Sequence, residues 1–294
     1  MSWLGLTLLS ALALATADAM SKRYLAHHQP GHLVLVRFGF GGLLLLPVLL
    51  WQPWPTLSPA FWGWIMLLMP LEIGAMWLYM RAIRTSPLSL TLPYLSFTPV
   101  FNILTGYLFL GERVSQAGTA GIGLVVCGAW LLNLDSLRSN GRVDVLAPFR
   151  AIVRERGSRL MLITAMLYSL TSVLSKVAMQ HVTPTFFGPF YLVTVALCTV
   201  LVFASRDISN WRSLGRHPWI HLAIGACMAT MVVTHFYAIA HIEVAYMIAV
   251  KRTSMLFGIL YGAWLFREQG LSRNLTAGIL MIGGVYLIAA ASGS

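Results

Sequence analysis

The second half of this chain repeats the first half at a nearly constant displacement. Ser21-Lys22 recurs as Ser175-Lys176, 154 positions later. Thr119-Ala120-Gly121-Ile122 recurs as Thr276-Ala277-Gly278-Ile279, 157 positions later. Two copies of one structural plan therefore make up the chain, and the second half is expected to adopt the fold of the first.

The composition indicates a membrane protein. The chain is 58% hydrophobic and 10% charged, whereas about a quarter of the residues of a soluble domain are charged. Apolar stretches long enough to cross a bilayer recur along the whole chain. They cover residues 3–24, 33–50, 61–83, 87–110, 116–134, 160–179, 186–204, 218–241, 245–266 and 275–291.

Ten such segments place five helices in each copy. Because five is odd, the second copy enters the membrane from the side opposite to the first, so the repeats are inverted. The predicted fold is thus an all-α membrane protein of ten transmembrane helices in two inverted five-helix repeats. The expected domains are a first repeat over 1–135, a basic linker over 136–159 and a second repeat over 160–294.

The distribution of positive charge indicates how the chain is oriented in the membrane rather than nucleic-acid binding. The formal net charge is +11, and arginines crowd the linker and the stretch after the seventh segment. The loop 51–60 carries no charge. By the positive-inside rule, the linker and the loops after segments 1, 3, 7 and 9 are predicted to be cytoplasmic, with both termini outside.

A motif at the end of the fourth segment resembles a known family. Gly106–Arg113, followed by a glycine-rich segment, and the weaker second copy Gly262–Glu268 resemble the EamA-like members of the drug/metabolite transporter superfamily over essentially the whole chain. The resemblance implies a multi-pass transporter of the bacterial inner membrane. It also implies cytoplasmic termini, which is the reverse of the orientation that the charges predict.

The lysines are the first candidates for substrate binding. The chain has three, Lys22, Lys176 and Lys251, and each lies in a predicted segment, with Arg252 beside the last. A charge inside a membrane is costly and usually faces a cavity or a counter-charge. Ammonium and guanidinium groups suit phosphate or carboxylate oxygens. This arrangement looks like that of the sugar-phosphate branch of the superfamily, where lysines on helices 1, 6 and 9 and an adjacent arginine hold the phosphate.

Other residues complete the candidate set, each with a structural alternative. Tyr94 and Tyr246 are candidate cavity residues, or packing and interface residues. Glu72, Asp18 and His235 are candidates for coupling or gating. Glu72 can equally neutralise a buried base, and a buried histidine is commonly a hydrogen-bonded core residue.

Two further alternatives concern the helix ends. Lys22 and Lys176 lie near segment ends and can extend to the membrane interface, with Asp18 four residues before Lys22 to neutralise it. Glu112 and Glu268 each lie between one apolar segment and the next. A carboxylate there can stabilise a tight connection between the two segments. A structural role is favoured for both glutamates, with coupling or gating as the alternative.

Comparison of the two copies predicts that the functional residues are those that differ between the copies. Lys251 and Arg252 occupy the positions of Leu95 and Ser96 in the first copy. Glu72 likewise stands opposite Met228. A symmetric scaffold has no need of these charges, so they are the strongest candidates for a specific role.

These residues predict a secondary transporter rather than an enzyme. It would move a small polar metabolite, anionic or zwitterionic, by alternating access. The alternatives are an exporter of amino acids or amphipathic drugs, or a lipid-binding accessory component that transports nothing. No catalytic residue, metal or cofactor is predicted. The expected partners are a small-molecule solute and the lipid bilayer, not nucleic acid. Formation of a homodimer is possible on the sequence.

Overall fold

The protein is helical throughout its described part. The computed structural model describes residues 2–25, 28, 30–85, 92–134, 155–204, 218–265 and 275–292, and these contain no β-strand. Seven helices there are long and apolar enough to cross a membrane, and three more apolar helices are shorter. The prediction of an all-α membrane protein is therefore confirmed.

The helices, numbered α1 to α10 in chain order, fall at the ten apolar segments. Four are interrupted or change type along their length: α2 and α7 contain π-helical turns, α4 begins as a 3-10 helix, and α9 is broken into halves α9a and α9b. The bounds are α1 Trp3–Leu25; α2 Pro30–Val34, Leu35–Phe40 (π) and Gly41–Trp51; α3 Pro59–Thr85; α4 Leu92–Phe97 (3-10) and Thr98–Leu110; α5 Gln116–Leu134; α6 Arg156–Met179; α7 Pro184–Thr199 and Val200–Ala204 (π); α8 Pro218–Ile239; α9a Val244–Lys251 and α9b Ser254–Leu265; and α10 Leu275–Ala291.

The number of membrane crossings and the inverted orientation of the repeats stay predictions. The linker expected at 136–159 and the second glutamate of the repeated motif, Glu268, fall largely or wholly outside the described residues.

Two compact units make up the structure, and neither is one sequence repeat. The first unit comprises Met1–Met69, Ala178–His241 and Ser254–Glu268. The second comprises Pro70–Val177, Ile242–Thr253 and Gln269–Ser294. Each unit therefore combines helices from both copies of the repeat. Two of the unit boundaries fall at Pro70 inside α3 and at the break in α9.

In the first unit, α1 packs against α8 and α9b through small and hydroxylated side chains. The Ser10 hydroxyl donates to the Met231 carbonyl at 3.0 Å, and the hydroxyls of Thr16 and Tyr261 lie 2.8 Å apart. Gly42 of α2 lies so close to α7 that a Cβ there would come within 2.4 Å of Ala196. Small residues at these contacts let helix backbones approach each other.

Aromatic rings fill another part of the first unit. They come from the start of α3, from α7 and from α8, and neighbouring rings lie at edge-on, tilted or stacked angles with centroids 4.8–6.4 Å apart, as aromatic pairs prefer. The cluster consists of Phe61, Phe186, Phe187, Phe190 and Phe236.

In the second unit, α5 and α10 pack extensively against each other. Gly121 of α5 and Gly284 of α10 face each other, and a Cβ on either would lie within 2.8 Å of the other's carbonyl oxygen. Gly128 packs on Ala277 and Met281 in the same way. The glycine-rich character of the fifth segment of each repeat thus serves packing between the equivalent helices.

Candidate functional site

The break in α9 places two cations in the interior of the second unit. α9a ends at Lys251, and α9b begins at Ser254. Between the two helices, Arg252 and Thr253 form a turn. No proline causes the break. The Thr253 hydroxyl donates to the Val250 carbonyl at 2.8 Å, so a side chain satisfies a carbonyl near the interrupted turn.

Arg252 extends from this break to α4. Its Nη2 donates to the Thr98 hydroxyl at 2.8 Å, and Thr98 donates in turn to the Leu95 carbonyl at 2.7 Å, where α4 changes from a 3-10 helix to an α-helix. The buried Nε of Arg252 has no hydrogen-bond acceptor among the described residues. Tyr79 of α3 and Tyr168 of α6 are near enough to interact with the guanidinium electrostatically.

Lys251 and Glu72 complete the group. Lys251 interacts electrostatically with Arg252 beside it and with the Glu72 carboxylate of α3. The structure therefore brings together three residues that the comparison of repeats had selected as asymmetric. We call the following set the Arg252 cluster: Glu72, Tyr79, Thr98, Tyr168, Lys251 and Arg252.

Hydroxyl and amide groups continue this polar interior between α4 and α6, and the sequence reading did not select them. Ser172 Oγ lies 3.0 Å from the buried amide oxygen of Asn102, and the hydroxyls of Thr105 and Ser169 lie 2.8 Å apart. The available signal was the spacing of three positions between the polar residues on each helix, which puts them on one face of that helix.

Lys176 is held in an ion pair at the helix ends. Its ammonium donates to Glu112 Oε1 and to the Ile242 carbonyl, both at 2.6 Å. The other carboxylate oxygen of Glu112 accepts from the Val244 backbone N–H at 2.8 Å, at the first turn of α9a. This Glu112 clasp joins the α4–α5 turn, α6 and α9a, as the structural reading of Glu112 expects. That Lys176 binds substrate stays a prediction.

The local sequence explains why Glu112 can turn back in this way. Gly111 has a left-handed backbone with φ of 68°, which glycine adopts without strain. The Glu112 N–H donates to the Gly106 carbonyl at 3.2 Å. A Cβ on Gly106 would lie 2.9 Å from the Glu112 carboxylate. Gly111 thus permits the turn, and Gly106 makes room for the glutamate.

The two candidate tyrosines lie in the packed interior of the second unit. Tyr246 of α9a is buried, and its hydroxyl accepts from the Ser115 N–H at 3.0 Å. Tyr94 is fully buried, hydrogen-bonds to Ser158 and meets the Trp130 ring edge-on at 5.7 Å. Both hydroxyls already have partners in this structure, and a role in binding substrate stays a prediction for both.

In the first unit, Asp18 binds a residue on the neighbouring helix. Its carboxylate lies 2.7 Å from the guanidinium of Arg37, which lies in the π-helical segment of α2. Arg37 also approaches the sulfur of Met228 at 3.7 Å. Lys22 is exposed near the end of α1, where the alternative of extension to the interface would place it.

Histidines of the first unit show a second feature that the sequence reading missed. His28 and His32 are stacked 4.4 Å apart, and His221 meets His32 edge-on at 5.4 Å. His235 is buried elsewhere, on α8, against the ring of Phe236. Nowhere in the described part of the chain do three or more histidine, cysteine or acidic side chains form a group suited to a metal ion.

Comparison with known proteins identifies the family. One protein of known crystal structure matches with a TM-score of 0.73 at 17% identity, over 99% of this chain and 96% of that chain. This likeness shows a shared fold. No curated protein sequence matches the chain. The family model of the EamA-like transporter family matches residues 1–134 and 156–290. The protein therefore belongs to the EamA-like transporter family, within the drug/metabolite transporter superfamily.

Proposed function

We propose that the protein is a secondary transporter of a small anionic or zwitterionic metabolite, and that Lys251 and Arg252 bind the anionic group of that solute. The family consists of membrane transporters of small solutes. The observation that carries the proposal is the pair of adjacent cations at a helix break in the interior of the second unit. Broken helices often line solute sites in transporters.

The energetics favour a binding role for this pair. Each lysine or arginine at the centre of a membrane helix costs about 2.5–3.5 kcal/mol on insertion scales. Two cations next to each other repel as well, and the cluster holds one carboxylate, Glu72, against them. A carboxylate or phosphate group would add two or three acceptor oxygens, including one for the unused Nε of Arg252. Glu72 would meanwhile suit the ammonium group of a zwitterion.

Uptake into proteoliposomes tests this function. Wild-type protein is reconstituted and assayed with labelled phosphate esters, dicarboxylates and amino acids, with and without a proton gradient. We expect uptake of at least one anionic or zwitterionic solute, and its loss in Arg252→Gln. Arg113→Gln is the matched control, because Arg113 is exposed in the α4–α5 turn. Equal uptake by wild type and Arg252→Gln would refute the proposed site.

The same assay addresses the alternating-access mechanism. In that mechanism the site opens to one side of the membrane at a time, so excess unlabelled solute inside the vesicles accelerates the entry of labelled solute. A channel-like pathway would show no such acceleration. Preference for an uncharged aromatic compound over every anion would favour the alternative of an exporter of amphipathic drugs.

A lipid-associated role is the second candidate, and one feature favours it. An apolar groove of about 340 Å³ on the first unit is lined by five side chains of α1 and α9b. Trp264 and Leu260 in it are strongly exposed. If wild-type protein moved no solute but redistributed labelled phospholipid between leaflets, this function would replace the first. The groove consists of Leu12, Phe257, Leu260, Tyr261 and Trp264.

A further inference from the structure

We propose that Asn102 of α4 determines substrate specificity by binding a hydroxyl group of the solute whose anionic group Arg252 holds. The inference rests on the function proposed above and names the substrate class of the same site. That class is the hydroxylated anions and zwitterions: hydroxy acids, hydroxylated amino acids and polyol phosphates. The residues that carry the inference all belong to the second unit.

The first observation is an incomplete set of hydrogen bonds at a buried amide. Asn102 is 1% exposed, and its Oδ1 lies 3.0 Å from Ser172 Oγ. Its Nδ2 is buried and has no hydrogen-bond partner among the described residues. A buried amide donor without a partner is costly, because it has given up its bonds to water without replacement. A bond between α4 and α6 explains one end of this amide but not the other.

The oxygen end of the amide has to share its donor. Ser172 Oγ also lies 2.8 Å from the Ser169 carbonyl, and a hydroxyl has a single proton to donate to one of these two acceptors. Asn102 therefore lacks an acceptor at Nδ2 and competes for a donor at Oδ1. A solute hydroxyl can supply either, whereas a keto oxygen can supply an acceptor alone. This difference favours a hydroxyl as the group that Asn102 binds.

The second observation is that Asn102 lies close to the proposed anion site. Thr98 is four positions before Asn102, on the same face of α4, and its hydroxyl accepts from Arg252 Nη2 at 2.8 Å. Four residues of an α-helix span about 6 Å along the axis. On α6, Tyr168 is four positions before Ser172 and interacts electrostatically with Arg252. Both helices that hold the amide thus also contact the guanidinium, one turn away.

One solute can pair with both unsatisfied groups. Arg252 Nε is buried and, like Asn102 Nδ2, has no partner in the described part of the chain. A carboxylate or phosphate group supplies oxygens to the guanidinium. A hydroxyl a few bonds away in the same molecule can reach across one helical turn to Asn102. A hydroxylated anion should therefore bind more tightly than the same anion without its hydroxyl, which leaves the amide unpaired.

Pairs of probes that differ in hydroxylation test this inference. Purified protein is titrated by calorimetry with L-malate and succinate, with L-serine and L-alanine, and with glycerol 3-phosphate and propyl phosphate. In at least one pair, we expect wild type to bind the hydroxylated member about 10- to 100-fold more tightly. Asn102→Leu has a similar volume but no polar side-chain atom. Its affinity ratio should fall close to unity, while its affinity for the member without the hydroxyl is retained.

Thr105→Val is the matched control on the same helix. The Thr105 hydroxyl already donates to the Phe101 carbonyl at 3.1 Å and lies 2.8 Å from the Ser169 hydroxyl. Its loss should leave the ratio of affinities as in wild type. A ratio that falls equally in Thr105→Val and Asn102→Leu would overturn the assignment to Asn102.

Ser172→Ala keeps the inference testable if Asn102→Leu does not fold. It removes the hydroxyl that orients the amide, with little change in volume, so Ser172 acts as a positioning residue. We expect the ratio of affinities to fall about 2- to 10-fold. An unchanged ratio in Ser172→Ala would show that the solute hydroxyl is recognised elsewhere.

The wild-type titrations separate this inference from the proposed function. Equal affinity for both members of every pair that binds would overturn the role of Asn102 and leave the anion site standing. A preference for the hydroxylated member that persists in Asn102→Leu would also overturn that role. If no probe binds to wild type, the proposed function fails, and the inference fails with it.

Discussion

At the scale of the residue, the proposed anion site depends most on the geometry of Arg252. Its planar fork already donates to Thr98 at 2.8 Å, and its Nε has no acceptor among the described residues. Arg252→Lys keeps the charge but loses the fork. Because a hydrogen bond to a charged group contributes about 1.5–3 kcal/mol, we expect KM for the anion to rise roughly 10- to 150-fold.

Initial rates in proteoliposomes measure this change. Arg113→Lys, at an exposed position, should leave KM as it is. A KM in Arg252→Lys equal to that of wild type would mean that Arg252 acts as a charge alone, or that the solute binds elsewhere.

The Glu112 clasp makes a prediction about stability. Glu112 bonds to both Lys176 and the Val244 N–H. Glu112→Ala leaves an ammonium that is largely shielded from solvent without its carboxylate, and breaking a buried pair costs about 3–5 kcal/mol. Glu112→Gln retains an acceptor for the Val244 N–H. The midpoint of thermal unfolding of purified Glu112→Gln should therefore lie between those of wild type and Glu112→Ala.

Glu243→Ala is the control for this series. Glu243 occupies the N-cap position of the same helix, but its side chain makes no capping hydrogen bond. Its loss should change the midpoint of unfolding very little. Equal destabilisation by Glu243→Ala and Glu112→Ala would argue against a specific clasp.

Part of this residue-level picture was available from the sequence. Lys251, Arg252 and Glu72 stand out because their repeat equivalents are uncharged, and the structure does bring them together. The pairing of Asp18 with Arg37 was not available, because it depends on how α1 meets an irregular turn of α2. Sequence spacing offered Lys22 as the partner for Asp18 instead.

At the scale of the element, the positions of the helices follow from hydropathy but their irregularities do not. The ten apolar segments match the helices of the described part of the chain to within a few residues at most ends. Pro99 lies in the first turn of the α-helical part of α4, where its missing N–H costs nothing. The break in α9 could not be predicted from the sequence, because no proline or glycine lies at the break.

The close packing of α5 against α10 predicts that adding one methyl group between these helices lowers stability. In Gly121→Ala the new Cβ would lie 2.8 Å from the Gly284 carbonyl oxygen and 2.9 Å from an Ile288 side-chain carbon. Overpacking of this kind costs about 1–3 kcal/mol. We expect a lower midpoint of thermal unfolding in detergent.

Gly123→Ala is the matched control on the same helix. A Cβ at Gly123 would meet nothing within 4 Å, and alanine is a better helix former than glycine. Its stability should equal or exceed that of wild type. If both variants unfold at the same temperature, the close approach of α5 and α10 does not limit stability.

At the scale of the whole molecule, each compact unit needs both halves of the chain. The first unit combines residues 1–69 with two later segments, and the second combines 70–177 with two others. Fragments 1–134 and 155–294 should therefore each be unstable when expressed alone, and co-expression should restore membrane abundance and uptake. A fragment that accumulates alone in a folded form would refute this dependence.

The orientation of the chain is a separate prediction at this scale. In a variant without Cys127, Cys198 and Cys227, a cysteine at Ser139 of the linker should resist an impermeant maleimide added to intact cells. A cysteine at exposed Thr56 should react. This follows from the arginines of the linker and the uncharged loop 51–60. The opposite labelling pattern would place the termini inside.

The composition of the first unit also sets when it can be completed during synthesis. The ribosome must add the residues between Met69 and Ser254 before α9b exists to pack on α1. At 5–20 residues per second, this takes roughly 10 to 40 s. Until α7 and α8 have been made, α1 and α2 lack those neighbours, and α1 lacks α9b for the whole interval. A chain whose synthesis stops before α9b is thus left with an unfinished surface that membrane proteases can recognise.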